Sequence, residues 1–367
     1  MADTDLSPQR TQAWVTLNMA GVGPRRARKL VEFFGSPQKV LGAGPEDLQR
    51  VSGIGELIAK KIHASLRNNA GEREIDLAGK KGIRIITFEE DVYPFMLKQI
   101  YDPPVVLYMK GEVVPSDSNA VAIVGSRRPS IQGRLTAEKL ALELASRGFT
   151  VASGMARGID TASHRGALRA KGRTIGVLGS GLDVIYPPEN KDLMGEISRC
   201  GAVLSEFPLG TKPNRENFPR RNRVVSGLSL GIVVVEAGEK SGSLITANFA
   251  LEQGRDVFAV PGNVSLPTTR GCHRLIKEGA RLVEKVEDIL EELGSSDLVP
   301  ADKKQSAGMP ISQKEAEVYN LLKEEPAHID ELSNLAEMES YEISQLLVKL
   351  EIRGLARQLP GKLFVRR

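Results

Sequence analysis

The sequence predicts an α/β protein: a doubly wound, mostly parallel sheet with a small helical domain before it and a helix-and-hairpin unit after it. Three observations predict this. Between about residues 80 and 260, short and near-continuously apolar runs alternate with amphipathic stretches, as buried parallel strands and their crossover helices must. Ahead of them stands an internal repeat built on a glycine hairpin, and behind them a Ser, Asp, Lys and Pro-rich stretch opens a third pattern. At about 100 to 200 residues per domain, a chain of 367 residues holds two or three domains.

The repeat comes first. Leu17-Asn-Met-Ala-Gly21-Val-Gly23-Pro-Arg-Arg-Ala27-Arg-Lys-Leu30 and Val51-Ser-Gly53-Ile-Gly55-Glu-Leu-Ile-Ala59-Lys-Lys-Ile62 share one arrangement. In each, a Gly-apolar-Gly turn is followed by Ala and Leu or Ile at helical spacing, which reads as a helix-hairpin-helix. Residues 1–78 form this helical domain. The hairpin glycines let backbone N–H groups approach a phosphate, and Arg25, Arg26, Arg28 and Lys29 follow the first turn. The same helix pair also serves as a plain packing unit, so both roles stay open.

Residues 79–294 carry the sheet, a Rossmann-like pattern. It begins at Gly82-Ile-Arg-Ile-Ile86 and a Pro-rich connection at Tyr101-Asp-Pro-Pro104, and the apolar runs are Ala120–Val124, Thr150–Ser153, Thr174–Leu178, Ala202–Ser205, Gly231–Glu236 and Val257–Val260. Between the first two runs, Ala137, Leu140, Ala141, Leu144 and Ala145 recur at i, i+3, i+4, i+7 and i+8, one face of a covering helix.

Residues 295–310 read as a linker. Residues 311–367 then show helices from about Gln313, over Ile329–Ala336 and over Tyr341–Arg353, and a basic hairpin over Leu355–Arg367. This is a winged-helix pattern. Its third helix sets Glu342 and Glu351 against Lys349 and Arg353, a poor phosphate footprint, so protein docking and DNA binding are equally open.

Composition narrows the function classes. The net charge is +4, so local placement of charge must decide the partner. Two cysteines outside any CxxC and four scattered histidines argue against disulfides and structural zinc. The opening MADTDLSPQRTQAW has no basic n-region or apolar h-region, and no apolar run reaches the ~18 residues of a span. A cytoplasmic protein is expected.

In an open parallel sheet, ligands gather outside the carboxyl ends of the strands. The loop after the first run, Gly125-Ser126-Arg127-Arg128-Pro129-Ser130, combines backbone donors with two guanidinium groups. After the second, Ser153, Gly154, Arg157 and Gly158 extend an anion-binding rim toward a helix N-terminus. After the fifth, Lys240-Ser241-Gly242-Ser243-Leu-Ile-Thr246 repeats the device. The loop between the fourth and fifth runs carries Lys212, Arg215, Arg220, Arg221 and Arg223 with one acid and Phe218. Cations spread along a shelf suit a polyanion, and Phe218 either stacks an unpaired base or packs in the core. Extended single-stranded nucleic acid is the expected ligand.

No G-x-G-x-x-G follows the first run and no G-x-x-x-x-G-K-[ST] exists, so neither a dinucleotide nor a P-loop nucleotide is expected. No catalytic carboxylate pair or nucleophile set follows from spacing, and Asp160 with His164, one helical turn apart, reads as a local hydrogen bond. No cofactor and no metal are expected.

These residues resemble the DprA/Smf family of DNA-processing proteins, most closely from Tyr93 to Ala280. The similarity rests on Tyr101–Tyr108, Gly125-Ser-Arg127, Ser153–Ala162, Tyr186-Pro187, Asn217-Phe-Pro-Arg-Arg-Asn-Arg223, Ser241–Ala247 and Val257–Gly262. His273 stands where the family habit is Asn. The resemblance implies a Rossmann-like protein without catalytic activity that binds and protects single-stranded DNA in natural transformation, dimerises through that domain and helps load RecA. It implies Arg127 as the foremost DNA contact, with Lys212 and Arg221 to Arg223 next. A rival class with this style of domain, the LOG-type phosphoribohydrolases of nucleoside monophosphates, resembles P-G-G-x-G-T-x-x-E where this chain has Gly242–Thr246. Thr246 then stands where the catalytic glutamate belongs. A third reading, a protein-interaction scaffold, is kept open by the two end domains.

Overall fold

The structure is a computed structural model that describes residues 7–294, 313–323, 327–336, 338–352, 355–359 and 363–366. The chain divides into two compact units, 1–301 and 302–367. The linker expected at 295–310 lies outside the described residues.

The first unit is built on a nine-stranded sheet. Its strands are β1 (Arg84–Thr87), β2 (Val106–Gly111), β3 (Ala120–Gly125), β4 (Thr150–Ser153), β5 (Thr174–Val177), β6 (Ala202–Ser205), β7 (Gly231–Val235), β8 (Asp256–Ala259) and β9 (Arg281–Leu282). The order across the sheet is β1-β2-β6-β5-β4-β3-β7-β8-β9. From β6 to β9 every neighbouring pair is parallel, while β2 runs antiparallel to both β1 and β6. The chain winds outward from β3 through β4 and β5 to β6, then crosses back to lay β7 on the other side of β3. That reversal is the topological switch point, where a crevice opens at the strand ends.

Alternation along the strands assigns the faces. Val121 and Ile123 of β3, with Val233 and Val235 of β7, pack beneath the helices Ile131–Ser146, Ile159–Arg169 and Val286–Glu292. Ala122, Val124, Ile232 and Val234 point to the opposite face, under the helices Asn217–Gly227, Gly242–Glu252 and Arg270–Lys277. Ala137, Leu140, Ala141, Leu144 and Ala145 are all buried, as their spacing predicts. Each fully buried Leu on that face contributes roughly 1.5–3 kcal/mol.

The N-terminal helices are Pro8–Met19, Pro24–Phe34, Pro37–Gly42, Pro45–Gln49, Glu56–Arg67 and Ala70–Lys80. Four begin with Pro, whose missing N–H costs nothing in the first turn. They do not enclose a core of their own: Trp14, Leu17, Leu30 and Ile62 share one apolar cluster with Val106 and Tyr108 of β2 and Val203 of β6. The boundary expected at 78/79 therefore separates two sequence patterns that share one core. Polar ties reinforce it. Arg10 donates twice to Glu89 at 2.7 Å, Trp14 Nε1 donates to the same carboxylate at 2.9 Å, and Leu209 N donates to Glu74 at 2.7 Å. Burial pushes the Glu89 pKa up, but the Arg10 and Trp14 hydrogen bonds outweigh it and hold the carboxyl below its ordinary value.

The second unit contains the helices Gln313–Leu321, Ile329–Ala336 and Ser340–Ile352 and a three-stranded sheet of Ala327–His328, Leu363–Arg366 and Ala356–Leu359, in that spatial order. Val318, Leu332, Ile343, Leu347, Leu350 and Phe364 form its core. This is the winged-helix arrangement.

Candidate nucleic-acid interface

The site is built where β3 and β7 end side by side. Gly125 closes β3 because a Cβ there would run into the Val235 carbonyl oxygen. The chain then turns through Ser126–Ser130. Ser126 Oγ accepts from Arg128 N at 3.1 Å, and the Ser126 carbonyl accepts from Ile159 N at 3.1 Å. Ser130 caps the helix Ile131–Ser146, its Oγ accepting from Gly133 N at 3.0 Å. On the far side of the switch point Glu236, at a positive φ of 51°, turns its carboxylate back to accept from Ser130 N at 2.7 Å and from the Ser130 hydroxyl.

Between these ends lies a groove of about 830 Å³. Ten of the expected residues line it: Gly125, Ser126, Arg127, Gly154, Phe218, Arg221, Lys240, Ser241, Gly242 and Thr246. The Arg127 guanidinium stands 4.9 Å from the centre of the Phe218 ring, within cation–π range. Tyr186 lies beyond Phe218 with ring centroids 5.9 Å apart, in an adjoining pocket that Arg127 and Phe218 also line. Arg157 sits at the adjoining end, bridged to Glu189.

Asn217–Gly227 is a helix, where a loop was expected. Pro219 falls in its first turn, the one place a helix accepts proline freely. Helical spacing sorts the basic residues. Phe218, Arg221, Asn222 and Val225, at i, i+3, i+4 and i+7, face the groove. Arg223 turns away and is buried, paired with Glu206 and with Asp102 Oδ2 at 3.4 Å. Arg220 lies over the Phe207 ring at 4.9 Å, with Glu206 3.8 Å away. These placements correct the expectation for Arg223, whose charge is buried against Glu206; Arg220 is exposed outside the lining of the groove. Ser153 is corrected likewise: it is fully buried and its Oγ donates to the Ile123 carbonyl at 2.6 Å. Arg128 and Lys212 are exposed outside the lining.

Arg221 reaches the groove only with its edge. It is buried, donates to the Val177 carbonyl at 2.6 Å and to the Gly154 carbonyl, and so ties the ends of β4 and β5 to the helix. Burial lowers its pKa to about 10, against the pull of Asp160, and it stays charged at neutral pH. Asp160, whose Oδ2 accepts from Ala156 N at 3.1 Å, is pushed up by burial and drawn down by Arg221. His164 is buried with Nδ1 2.7 Å from Thr174 Oγ1; burial and then Arg221 depress its pKa to about 3, so it is neutral. Asp160 and His164 thus bond to separate partners. Thr246 is buried and places no carboxylate at the groove. His273 Nε2 lies 3.0 Å from the Gly262 carbonyl and 3.3 Å from its N–H, bracing that turn.

Arg215, named in the basic cluster, also lines the groove, and the residues missed in sequence include Asn222 and Thr268. Asn222 needed the helical phase. No group of His, Cys, Asp and Glu that would hold a metal ion occurs among the described residues. No helix among them is long and apolar enough to cross a membrane.

Three family models match the chain: DNA recombination-mediator protein A over residues 84–294, the DprA winged helix domain over 299–362, and a SAM-like helix-hairpin-helix tandem over 17–68. Protein Smf of Synechocystis is 35% identical over 382 residues, covering 95% of this chain and 96% of that one. DNA processing protein DprA of Bacillus subtilis is 47% identical over 215 residues, 58% of this chain and 72% of that one. Among solved structures, DNA processing protein A of Streptococcus pneumoniae superposes with a TM-score of 0.68 at 37% identity, covering 76% of this chain and 95% of that one. The Helicobacter pylori protein, described for its single-stranded DNA binding mode, gives 0.52 at 30% identity over 57% of this chain and 95% of its own.

Proposed function

The chain belongs to the DNA recombination-mediator protein A family, the DprA/Smf proteins, and from that premise we propose that it binds and protects single-stranded DNA in the switch-point groove and helps load RecA on it during natural transformation. The observation that carries the reading is the stack of Arg127 on Phe218 beside a groove rimmed by Arg127, Arg215 and Lys240. The cations meet phosphates and the ring meets an unpaired base, a pairing that a duplex with its bases stacked inside cannot use. The groove offers backbone, hydroxyls and cations; its lining carboxylate, Asp160, is buried and accepts from Ala156 N at 3.1 Å, and Thr246 stands where the rival class has its glutamate, which supports a binding role. We assign the protein to the cytoplasm as a homodimer joined through the sheet domain, as family membership suggests.

Binding is tested by gel shift of oligothymidylate against duplex across salt concentrations, beside a nucleoside-monophosphate hydrolysis assay on the same preparation. At about 0.7 per phosphate contact on single strands, three rim cations make log K fall with log salt at a slope near −2. Duplex preference, a flat salt response or release of free base would each sink the reading.

A further inference from the structure

Arg25, Arg26, Arg28 and Lys29 occupy the start of the helix Pro24–Phe34 and all four are exposed. None of them makes an ion pair among the described residues, whereas Arg10, Arg84, Arg147, Arg157 and Arg169 each hold a carboxylate. Beside them is a cavity of about 380 Å³ whose walls come from both hairpins of the repeat, with Gly23, Arg25, Arg26 and Lys29 from the first and Ser52 and Gly53 from the second. The Arg26 Nε lies 3.8 Å from where a Cβ on Gly53 would stand, so the cation of one hairpin leans over the turn of the other. Asp102, the acid in the wall, is held by Arg223 Nε at 3.4 Å. Among the described residues, the cavity's cations thus have no carboxylate partner, and the one acid in its wall is engaged by Arg223.

Gly55 sharpens this. Its φ is −93° and a Cβ there would meet nothing within 4 Å. Neither backbone conformation nor packing requires glycine, and the bare backbone leaves room for an approach from outside.

A physical link joins this cavity to the groove. Tyr101 is 74% exposed, with the Arg25 guanidinium 4.2 Å above its ring and bonded to its hydroxyl. The next residue, Asp102, accepts at its carbonyl from Arg223 Nη1 at 2.7 Å. Arg223 belongs to the helix Asn217–Gly227, whose other face lines the groove. Eleven residues at about 1.5 Å each make that helix about 16 Å long.

We propose that the hairpin cavity is a second nucleic-acid subsite, taking the phosphodiester backbone of the same single strand that the groove holds, with Tyr101 between them as a surface for a base. This rests on the groove reading and extends it from one site to a track. The full-length protein is tested by fluorescence anisotropy with oligothymidylates of about 8 and about 24 nucleotides, the shorter within the reach of one site and the longer able to span both. The double variant Arg26→Glu, Lys29→Glu removes the cavity's charge; Lys61→Glu, Arg67→Glu, both exposed on Glu56–Arg67 and outside the cavity, makes the same charge change. The cavity variant is expected to lose about tenfold or more in affinity for the long strand, with a shallower salt slope, while the short strand is held within about twofold. The control is expected to leave both affinities within about twofold, which separates contact from bulk charge. A long-strand loss no greater than the control's, or an equal loss on both lengths, overturns the proposal. Failure of the groove reading looks different: the wild-type protein then binds neither strand, or Arg127→Ala changes neither affinity.

Discussion

Arg127 and Arg221 lie on the same groove, and water reaches only the first freely. Arg127 has the aromatic face of Phe218 beneath it and solvent above, so its charge is free for a phosphate. Arg221 spends its donors on the Gly154 and Val177 carbonyls and its charge on Asp160. Truncation separates the two roles. Arg127→Ala should weaken single-strand binding by about 1–3 kcal/mol, one charge-assisted hydrogen bond, with the urea midpoint of unfolding unchanged. Arg221→Met should lower stability by about 3 kcal/mol or more, because Asp160 is left buried without its cation. Equal stability of the two variants by urea titration would show that Arg221 is not the structural member of the pair.

At the scale of elements, most of the sheet was legible because β3 to β8 are covered on both faces and their sequences are uninterrupted apolar runs. β2 hid behind the Pro-rich Tyr101–Pro104 connection, and β9 is two residues long, too short to show a period. The helix Asn217–Gly227 hid for another reason: arginines, asparagines and a proline at its start look like a turn, and its stability comes from Val224, Val225 and Leu228 packing under the sheet. Reading it as a loop made all its cations equivalent. Reading it as a helix makes Asn222 a groove residue, its side chain donating to the Gly242 carbonyl at 3.3 Å across the opening. Asn222→Ala should therefore reduce single-strand affinity more than Arg220→Ala, although only the latter removes a charge. Filter-binding titrations of the two variants check this, and the reverse order would place the ligand on the other side of the helix.

At the scale of the molecule, contiguity of sequence pattern and contiguity of core differ. Residues 1–78 look detachable because their period changes near 80, yet Trp14 and Leu17 share a cluster with Tyr108 and Val203. Residues 302–367 form a compact unit with their own core. Deleting 302–367 should leave a soluble protein with near-normal binding to short oligothymidylate. Deleting 1–78 should expose the apolar face of β2 and β6 and yield aggregate, a patch of the kind monomers do not leave bare. Size-exclusion chromatography of the two truncations decides, and a monodisperse 79–367 fragment would contradict the shared core.

Glu236 bears on how the whole groove meets an anion. The start of a helix facing a switch point is ordinarily where a nucleotide's phosphate settles, but here Ser130 N and the Ser130 hydroxyl already donate to a carboxylate of the same chain. The seat has a permanent tenant. What the groove keeps for an anion is the start of the helix Gly242–Glu252, with Ser241, Gly242 and Ser243, and the rim cations Arg127, Arg215 and Lys240. What the fold gives up is one helix start as a seat for a phosphate; what it keeps is a groove walled by the end of β3, the helix Asn217–Gly227 and the start of the helix Gly242–Glu252.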